Sequence, residues 1–311
     1  KRQMIKGHII GIDLGGTNLK VALLDLKYNI KDREVLGTRS FLEKEELISG
    51  IVYSINRIIK YNSLDKTDIL GVGLGLPGPV DARQGVVHFL PNVPGWKEVR
   101  LREILKKRTG LAVFLDNDAK VMALAEHRLG AAKGFNNVLC MTLGTGIGGG
   151  IIIEGKLYRG FNNAAGEVGH LPINERGSSC NCGRSGCLEA YVGNSRILNA
   201  ARKEFKKTIS LEELSLLAAK GNRSAIRIWR RVGKRLGFAL AGVVNILNLD
   251  AVVMGGGVSN AGRVLFDSAK ESLQNQAMSV QGGHVRIFRA KLGNDAGLIG
   301  AAIMVREGQA S

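Results

Sequence analysis

The sequence predicts an α/β protein built of two related lobes, and three observations carry this. Short apolar runs of strand length alternate with longer stretches of helical periodicity. Two glycine-centred hairpins, Gly11–Asp25 and Cys140–Glu154, resemble each other and lie about 130 residues apart, the mark of an internal duplication. The 311 residues, 45 % hydrophobic and 23 % charged, suffice for two ordinary domains and are too apolar for a disordered chain.

The elements follow in order. His8–Leu14 and Leu19–Leu26 are strands joined by Gly15-Gly16-Thr17-Asn18, a hairpin turn. Leu47, Ile48, Ile51, Ile55, Ile58 and Ile59 form one stripe, which predicts a helix over Glu45–Tyr61. Ile69–Leu76 is a strand stopped by Pro77-Gly78-Pro79. Leu111–Asp116 is a strand and Asp118–Leu129 a helix. Asn137–Leu143 and Ile147–Ile153 form the second hairpin around Gly144-Thr145-Gly146. Helix Ser224–Asn248, strand Ala251–Met254 with Gly255-Gly256-Gly257, strand Val285–Phe288 and helix Ala296–Val305 complete the reading. Of the two hairpins only the first carries a carboxylate: Asp13 stands where the second has Thr142.

Composition narrows the function classes. No apolar run is long enough to span a bilayer, and the opening KRQMIKGHIIGIDLGG is too quickly interrupted for a secretory signal. Four cysteines do not make a disulfide scaffold. A cytoplasmic protein with no membrane partner is expected. The formal charge is +17, from 44 basic and 27 acidic residues, yet the basic residues are scattered, with short runs at Lys106–Arg108 and Arg227–Arg235. A nucleic-acid partner is not expected.

The glycine turns point to phosphate. Gly144-x-Gly146-x-x-Gly149 and Gly73-x-Gly75-x-x-Gly78 satisfy the dinucleotide pattern, but a strand follows the first and Pro79 the second, where a helix is required. No P-loop occurs. Successive backbone N–H groups in tight turns can still cradle anions, and Thr17 and Thr145 add hydroxyls. Asp13 beside such a turn suits a magnesium ion shared with phosphate oxygens.

Three of the four cysteines fall in one loop, spaced His170-x₉-Cys180-x-Cys182-x₄-Cys187. A Cys₃His set closes a tetrahedral zinc site, and Gly177, Gly183 and Gly186 let the loop fold tightly. A redox dithiol or a fortuitous cluster is the alternative, but Cys-x-Cys is not the redox spacing. Such a loop would hold the flanking Glu167 and Glu189 rigidly, as a polar ligand site requires. Cys140, on an apolar strand, reads as core. Asn117 and Asp118 stand where a strand ends and a helix begins. That position suits an N-cap, and equally a general base at the ligand end of an α/β sheet.

Together these motifs resemble the ROK family of sugar kinases and related repressors, within the sugar kinase–actin–chaperone superfamily. The resemblance rests on Asp13-Leu14-Gly15-Gly16-Thr17, Leu76-Pro77-Gly78, Asn117-Asp118, Leu143 through Gly150, Ala165 through His170, the cysteine block with Glu189, and Gly255-Gly256-Gly257. It spans nearly the whole chain in order. It implies two ribonuclease-H-like (actin-like ATPase) lobes with a cleft between them, the first comprising 1–118 and 296–311, the second 119–295. It implies ATP and Mg²⁺, with a hexose hydroxyl as acceptor and Asp118 as catalytic base. Gly78, Asn92, Asn117, Asp118, Glu167, His170 and Glu189 match sugar-binding positions. His170, Cys180, Cys182 and Cys187 match the ligands of a structural Zn²⁺. Asp13 matches the Mg²⁺ position, through water. Gly15, Gly16, Thr17 and Asn18, with Gly144, Thr145 and Gly146, match the phosphate turns, and Gly255, Gly256 and Gly257 the adenosine side. Relatives often read Asp-x-Asn where this chain reads Asp118-Ala119-Lys120.

The expected reaction is transfer of the γ-phosphoryl group of ATP to a hexose 6-hydroxyl, with glucose favoured over N-acetylmannosamine, N-acetylglucosamine and fructose. The family also implies a homodimer or a dimer of dimers. Its repressors carry an N-terminal helix-turn-helix domain, which is not expected here because Asp13 comes so early. A non-catalytic sugar sensor is the further alternative.

Overall fold

The computed structural model describes residues 7–38, 41, 43–90 and 93–309. The chain divides into two compact units: one gathers the described residues up to Ala125, Arg159–Ala165 and the described residues from Asn294 on, the other Glu126–Tyr158 and Gly166–Gly293.

The first unit opens with β1 (His8–Leu14), β2 (Asn18–Asp25) and β3 (Ile30–Gly37), then helix α1 (Lys44–Tyr61) and β4 (Ile69–Leu76). A small sheet of β5 (Val80–Asp81), β6 (Val86–Phe89) and β7 (Lys97–Val99) precedes α2 (Leu101–Thr109), β8 (Val113–Asn117) and α3 (Asp118–Arg128). The second unit holds β9 (Val138–Leu143), β10 (Ile147–Ile153) and β11 (Lys156–Tyr158). It continues with α4 (Glu189–Val192), α5 (Asn194–Phe205), α6 (Leu211–Ala219) and α7 (Arg223–Leu247), then β12 (Ala251–Gly255), α8 (Arg263–Gln276), α9 (Ser279–His284) and β13 (Arg286–Arg289). The last helix, α10 (Ala296–Gln309), returns to the first unit.

The duplication is visible in the sheets. Their orders are β3-β2-β1-β4-β8 and β11-β10-β9-β12-β13, the same five-strand pattern twice. In each, three antiparallel strands are followed by two parallel additions. In the first sheet the side chains alternate between two cores, as the two-residue period of a strand requires. Ile10, Ile12 and Leu14 pack with Ile48, Ile51 and Ile55 of α1, while Ile9 and Leu24 pack with Leu298, Ala302 and Val305 of α10. In the second unit Leu139, Met141 and Leu143 pack with Trp229, Leu236 and Leu240 of α7. Cys140, on the same strand, is buried as expected; burial and the nearby Glu126 raise its thiol above the usual range.

The unit boundary differs from the expected one at 118/119. Residues Asp118–Ala125 of α3 stay with the first unit, and Arg159–Ala165 crosses back to it. The reason is packing and charge. Val121 lies against Gly75 and Gly300 of the first unit. Arg159 donates from Nε to the Asp116 carboxylate at 2.7 Å, Lys120 donates to the Asn163 carbonyl, and Asn163 donates to Asp81 at 3.1 Å. No helix among the described residues is long and apolar enough to cross a membrane.

Candidate active site

In the first unit the chemistry-bearing residues gather where the parallel strands end. Asp13, Gly75 and Asp116 are register partners across β1, β4 and β8, and Leu76 pairs with Asn117. Ligands of open α/β sheets bind at this carboxyl edge. Beyond β1 the turn is closed by the Gly15 N–H donating to the Asn18 carbonyl at 2.8 Å. Gly16, Thr17 and Asn18 are exposed, and Gly16 and Thr17 fall outside the β1–β2 ladder, so their N–H groups can face an anion. The Asp13 carboxylate accepts from Lys20 Nζ at 3.1 Å, and Lys20 also donates to the Asn294 carbonyl at 3.1 Å. Gly297 at the start of α10 lies so close that a Cβ there would stand 2.5 Å from Asp13 Cγ. A half-buried carboxylate beside an exposed backbone turn fits a hard oxygen-seeking cation. Gly297→Val is therefore expected to displace this carboxylate, and titration with magnesium should show weaker binding of the ion than in the unsubstituted protein if Asp13 helps to hold it.

Asn117 ends β8 and caps α3. Its Oδ1 accepts from the Ala119 N–H at 3.0 Å and the Lys120 N–H at 3.4 Å. Its amide donates to the Gly78 carbonyl at 3.1 Å, which ties the Leu76-Pro77-Gly78 turn to the same edge. The structure shows the capping role of this residue. Asp118 is the first residue of α3, half-buried, and its Oδ1 accepts from the Ala119 N–H at 2.8 Å. Asn92 lies outside the described residues.

Asp116 is 0 % exposed and sits directly before this pair. Its two oxygens accept from the Asn117 N–H at 2.8 Å and from Arg159 at 2.7 Å. Arg159→Met leaves a buried carboxylate without its cation, an effect of about 3–5 kcal/mol. Urea unfolding of metal-replete protein is expected to show that loss, largely restored when Asp116→Asn is added. An unchanged midpoint in Arg159→Met would remove the pair from the account.

The second unit repeats the arrangement without the carboxylate. Gly144 closes its turn by donating to the Gly146 carbonyl at 3.0 Å, and Thr145 and Gly146 are exposed. The Asn194 N–H donates to the Gly144 carbonyl at 3.0 Å, which brings the start of α5 against the turn. Helix N-termini favour anions, so the start of α5 suits an anion at this hairpin. Gly255 pairs with Thr142, and Gly256, at φ 81°, passes so close to β9 that a Cβ would lie 2.3 Å from the Leu143 carbonyl oxygen. The Gly255-Gly256-Gly257 turn therefore lies directly beside Gly144.

The cysteine loop closes as its spacing suggested. The ligand atoms of His170, Cys180, Cys182 and Cys187 all lie within 4.8 Å of one another. Cys182 and Cys187 are 3.7 Å apart between sulfurs, and Cys180 Sγ is 3.7 Å from His170 Nδ1. Ligand atoms about 2.3 Å from a tetrahedral zinc stand about 3.8 Å from each other. The set therefore fits zinc and is far too open for a disulfide. Burial first, then the neighbouring thiols, push Cys187 up to about 12, so a cation must displace its proton and binding weakens as pH falls. A thiol reagent is expected to find no reactive cysteine in the folded, zinc-replete protein. Chelation should release three thiols and unfolding the fourth, Cys140; four reactive thiols before chelation would contradict this.

Of the flanking carboxylates, Glu189 is held by hydrogen bonding and Glu167 is exposed. Glu167 Oε2 is 4.0 Å from His170 Nε2, the nitrogen not turned to the cysteines, and 59 % exposed. Glu189 begins α4, accepts from the Ile147 N–H at 2.8 Å and lies 3.9 Å from Cys180 Sγ, so it bridges the zinc loop and the second hairpin. The sequence reading noted Lys120 only as a departure from the Asp-x-Asn of relatives, and it did not single out Lys20, Asp116, Arg159 or the start of α5. Lys20 alone had a visible signal, since hairpin register places it opposite Asp13.

The ROK family profile matches residues 9–308. The chain belongs to the ROK family. A glucokinase of Thermotoga maritima is 36 % identical over 98 % of this chain and 99 % of its own length. The crystal structure of a ROK family glucokinase from Streptomyces griseus in complex with glucose and AMPPNP is 31 % identical, with a TM-score of 0.82 over 97 % of this chain and all of that one. A xylose repressor of Caldicellulosiruptor bescii is 30 % identical over 96 % of this chain and 78 % of its own length. The ROK chain thus has the mixed α/β, actin-like ATPase fold that its two repeated sheets describe.

Proposed function

We propose that this ROK protein is an ATP-dependent hexose kinase that phosphorylates the 6-hydroxyl, with glucose its substrate. Asp118 carries the reading: a carboxylate opens the helix after β8, at the sheet edge that also holds Asp13 and the exposed glycine turn. The full-length likeness to proteins named glucokinase supports the choice of sugar.

In this reading Asp118 accepts the hydroxyl proton while the sugar oxygen attacks the γ-phosphorus and ADP leaves. The protein supplies position and charge stabilisation, as phosphoryl transfer requires. The Gly15–Asn18 and Gly144–Gly146 turns hold phosphates through their N–H groups, and Gly255–Gly257 lets the backbone lie close to the adenosine. Magnesium, which neutralises phosphate charge, would be held by Asp13, through water. Zinc would be held by His170, Cys180, Cys182 and Cys187, where it fixes the loop that presents Glu167, His170 and Glu189 to the sugar. Gly78, Asn92 and Asn117 complete the sugar contacts. The protein acts in the cytoplasm, where reducing conditions keep the three loop cysteines as thiols, and it assembles as a homodimer or a dimer of dimers.

ADP release across glucose, mannose, fructose, N-acetylglucosamine and N-acetylmannosamine tests the substrate. Glucose is expected to give the highest kcat/KM, and a preference for an N-acetylhexosamine or fructose would reassign it. The 30 % identity to a xylose repressor favours one second reading, a sugar-sensing regulator, which predicts saturable sugar binding with no turnover.

A further inference from the structure

The function above leaves the +17 charge unexplained. Six of the 44 basic residues lie on one helix, α7, which carries no acidic residue. The buried face of α7 carries Ile228, Trp229, Val232, Leu236 and Leu240, which puts the intervening basic residues outside. Arg223, Arg227, Arg230, Arg231, Lys234 and Arg235 line a groove of about 1090 Å³ between α7 and the zinc loop. No carboxylate lines it. Its other wall is Ile173, Asn174 and Tyr191, and Tyr191 is anchored to the loop by accepting the Ser178 N–H at 2.9 Å. Arg227 pairs with Glu204, whereas Arg223, Arg230, Arg231 and Lys234 make no ion pair among the described residues. Burial, with Arg231 adding to it, holds Arg235 below the usual guanidinium range, so an anion here would relieve crowded like charge.

The groove continues. Arg231 also lines an adjoining cavity of about 1040 Å³, which is edged by Arg196, Arg202, Lys203, Lys206 and Lys207 and by a single carboxylate, Glu204. The two cavities share Arg231, so their basic residues make one track around it. A two-fold contact with a second copy would set like charges face to face. Bases would need stacking platforms. Of the rings present, Tyr191 is covered by Arg235, whose guanidinium lies 4.2 Å from its centroid; only Phe238 remains, and no aromatic residue lines the second cavity. The track therefore suits phosphates without bases.

We propose that the track along α7 and the α5 end is a binding site for inorganic polyphosphate, a linear chain of phosphates held by the guanidinium forks and ammonium groups of this face. None of its lining residues is among those assigned to sugar, ATP or zinc.

The test titrates full-length, zinc-replete protein with sodium polyphosphate, tripolyphosphate and an RNA oligonucleotide of equal charge, at physiological salt. The variants are Arg230→Glu with Lys234→Glu, and, as a control with the same change of net charge, Lys106→Glu with Lys107→Glu on α2. All four positions are exposed, so both proteins should fold. The expected result is saturable binding of polyphosphate, weaker binding of tripolyphosphate, a loss of about tenfold or more in the α7 variant and little change in the control. Equal loss in both variants would reduce the site to diffuse charge. RNA binding as tightly as polyphosphate would make the occupant a nucleic acid, and no binding of either would remove the site.

Discussion

Asp118→Asn should leave hexose affinity nearly intact and lower kcat by about 10²–10⁴. The substitution keeps size and hydrogen-bonding reach at the first residue of α3 but removes the carboxylate that the proposed reaction uses to take the proton. Asn117 continues to cap the helix through the Ala119 and Lys120 N–H groups, so α3 has no reason to unravel. The useful measurement is therefore the split between kcat and the sugar dissociation constant, taken by equilibrium binding and steady-state rates on one preparation. Near-normal turnover would reject Asp118 as the base. Loss of sugar binding with retained chemistry would recast it as a sugar contact.

Zinc removal should have the second large effect. Glu167 lies 4.0 Å from His170, and Glu189 ties the loop to Ile147 in the second hairpin. In the proposed function the metal staples this loop and the loop presents sugar contacts, where a misplacement of about 1 Å can cost about 10²-fold. Chelation, or Cys187→Ala, is expected to lower kcat/KM for the hexose by about that factor while the KM for ATP changes far less. Re-addition of zinc should restore the chelated protein and leave Cys187→Ala impaired. Equal weakening of sugar and ATP would mean that the loop supports the unit as a whole and not the sugar contacts.

The parts of the fold legible in the sequence were those in which one force dominates. β1 and β4 have the expected limits because a buried apolar run ends at Gly15 and at Pro77, and β10 because its apolar run lies between Gly146 and Glu154. The stripe of α1 was equally plain. The edge strands β3, β5, β7 and β11 were not, since Ile30–Gly37 and its like are half solvated and read as polar linkers until a neighbouring strand fixes them. The zinc loop could be read because its ligands are close in sequence and chemically unusual. The Asp116–Arg159 pair could not, since its members are 43 residues apart and either alone looks like an ordinary surface charge. The unit boundary moved for the same reason: long-range pairs of Arg159, Lys120 and Asn163, not composition, hold α3 and Arg159–Ala165 to the first unit.

The most direct test of the kinase reading is the ³¹P spectrum of the products formed from glucose, ATP and Mg²⁺ by zinc-replete protein, with Asp118→Asn alongside. The account predicts one new phosphomonoester, on the 6-oxygen of the sugar, matched by ADP and absent with the variant. ATP left intact while glucose binds, or ADP formed with inorganic phosphate in place of the sugar ester, would contradict it.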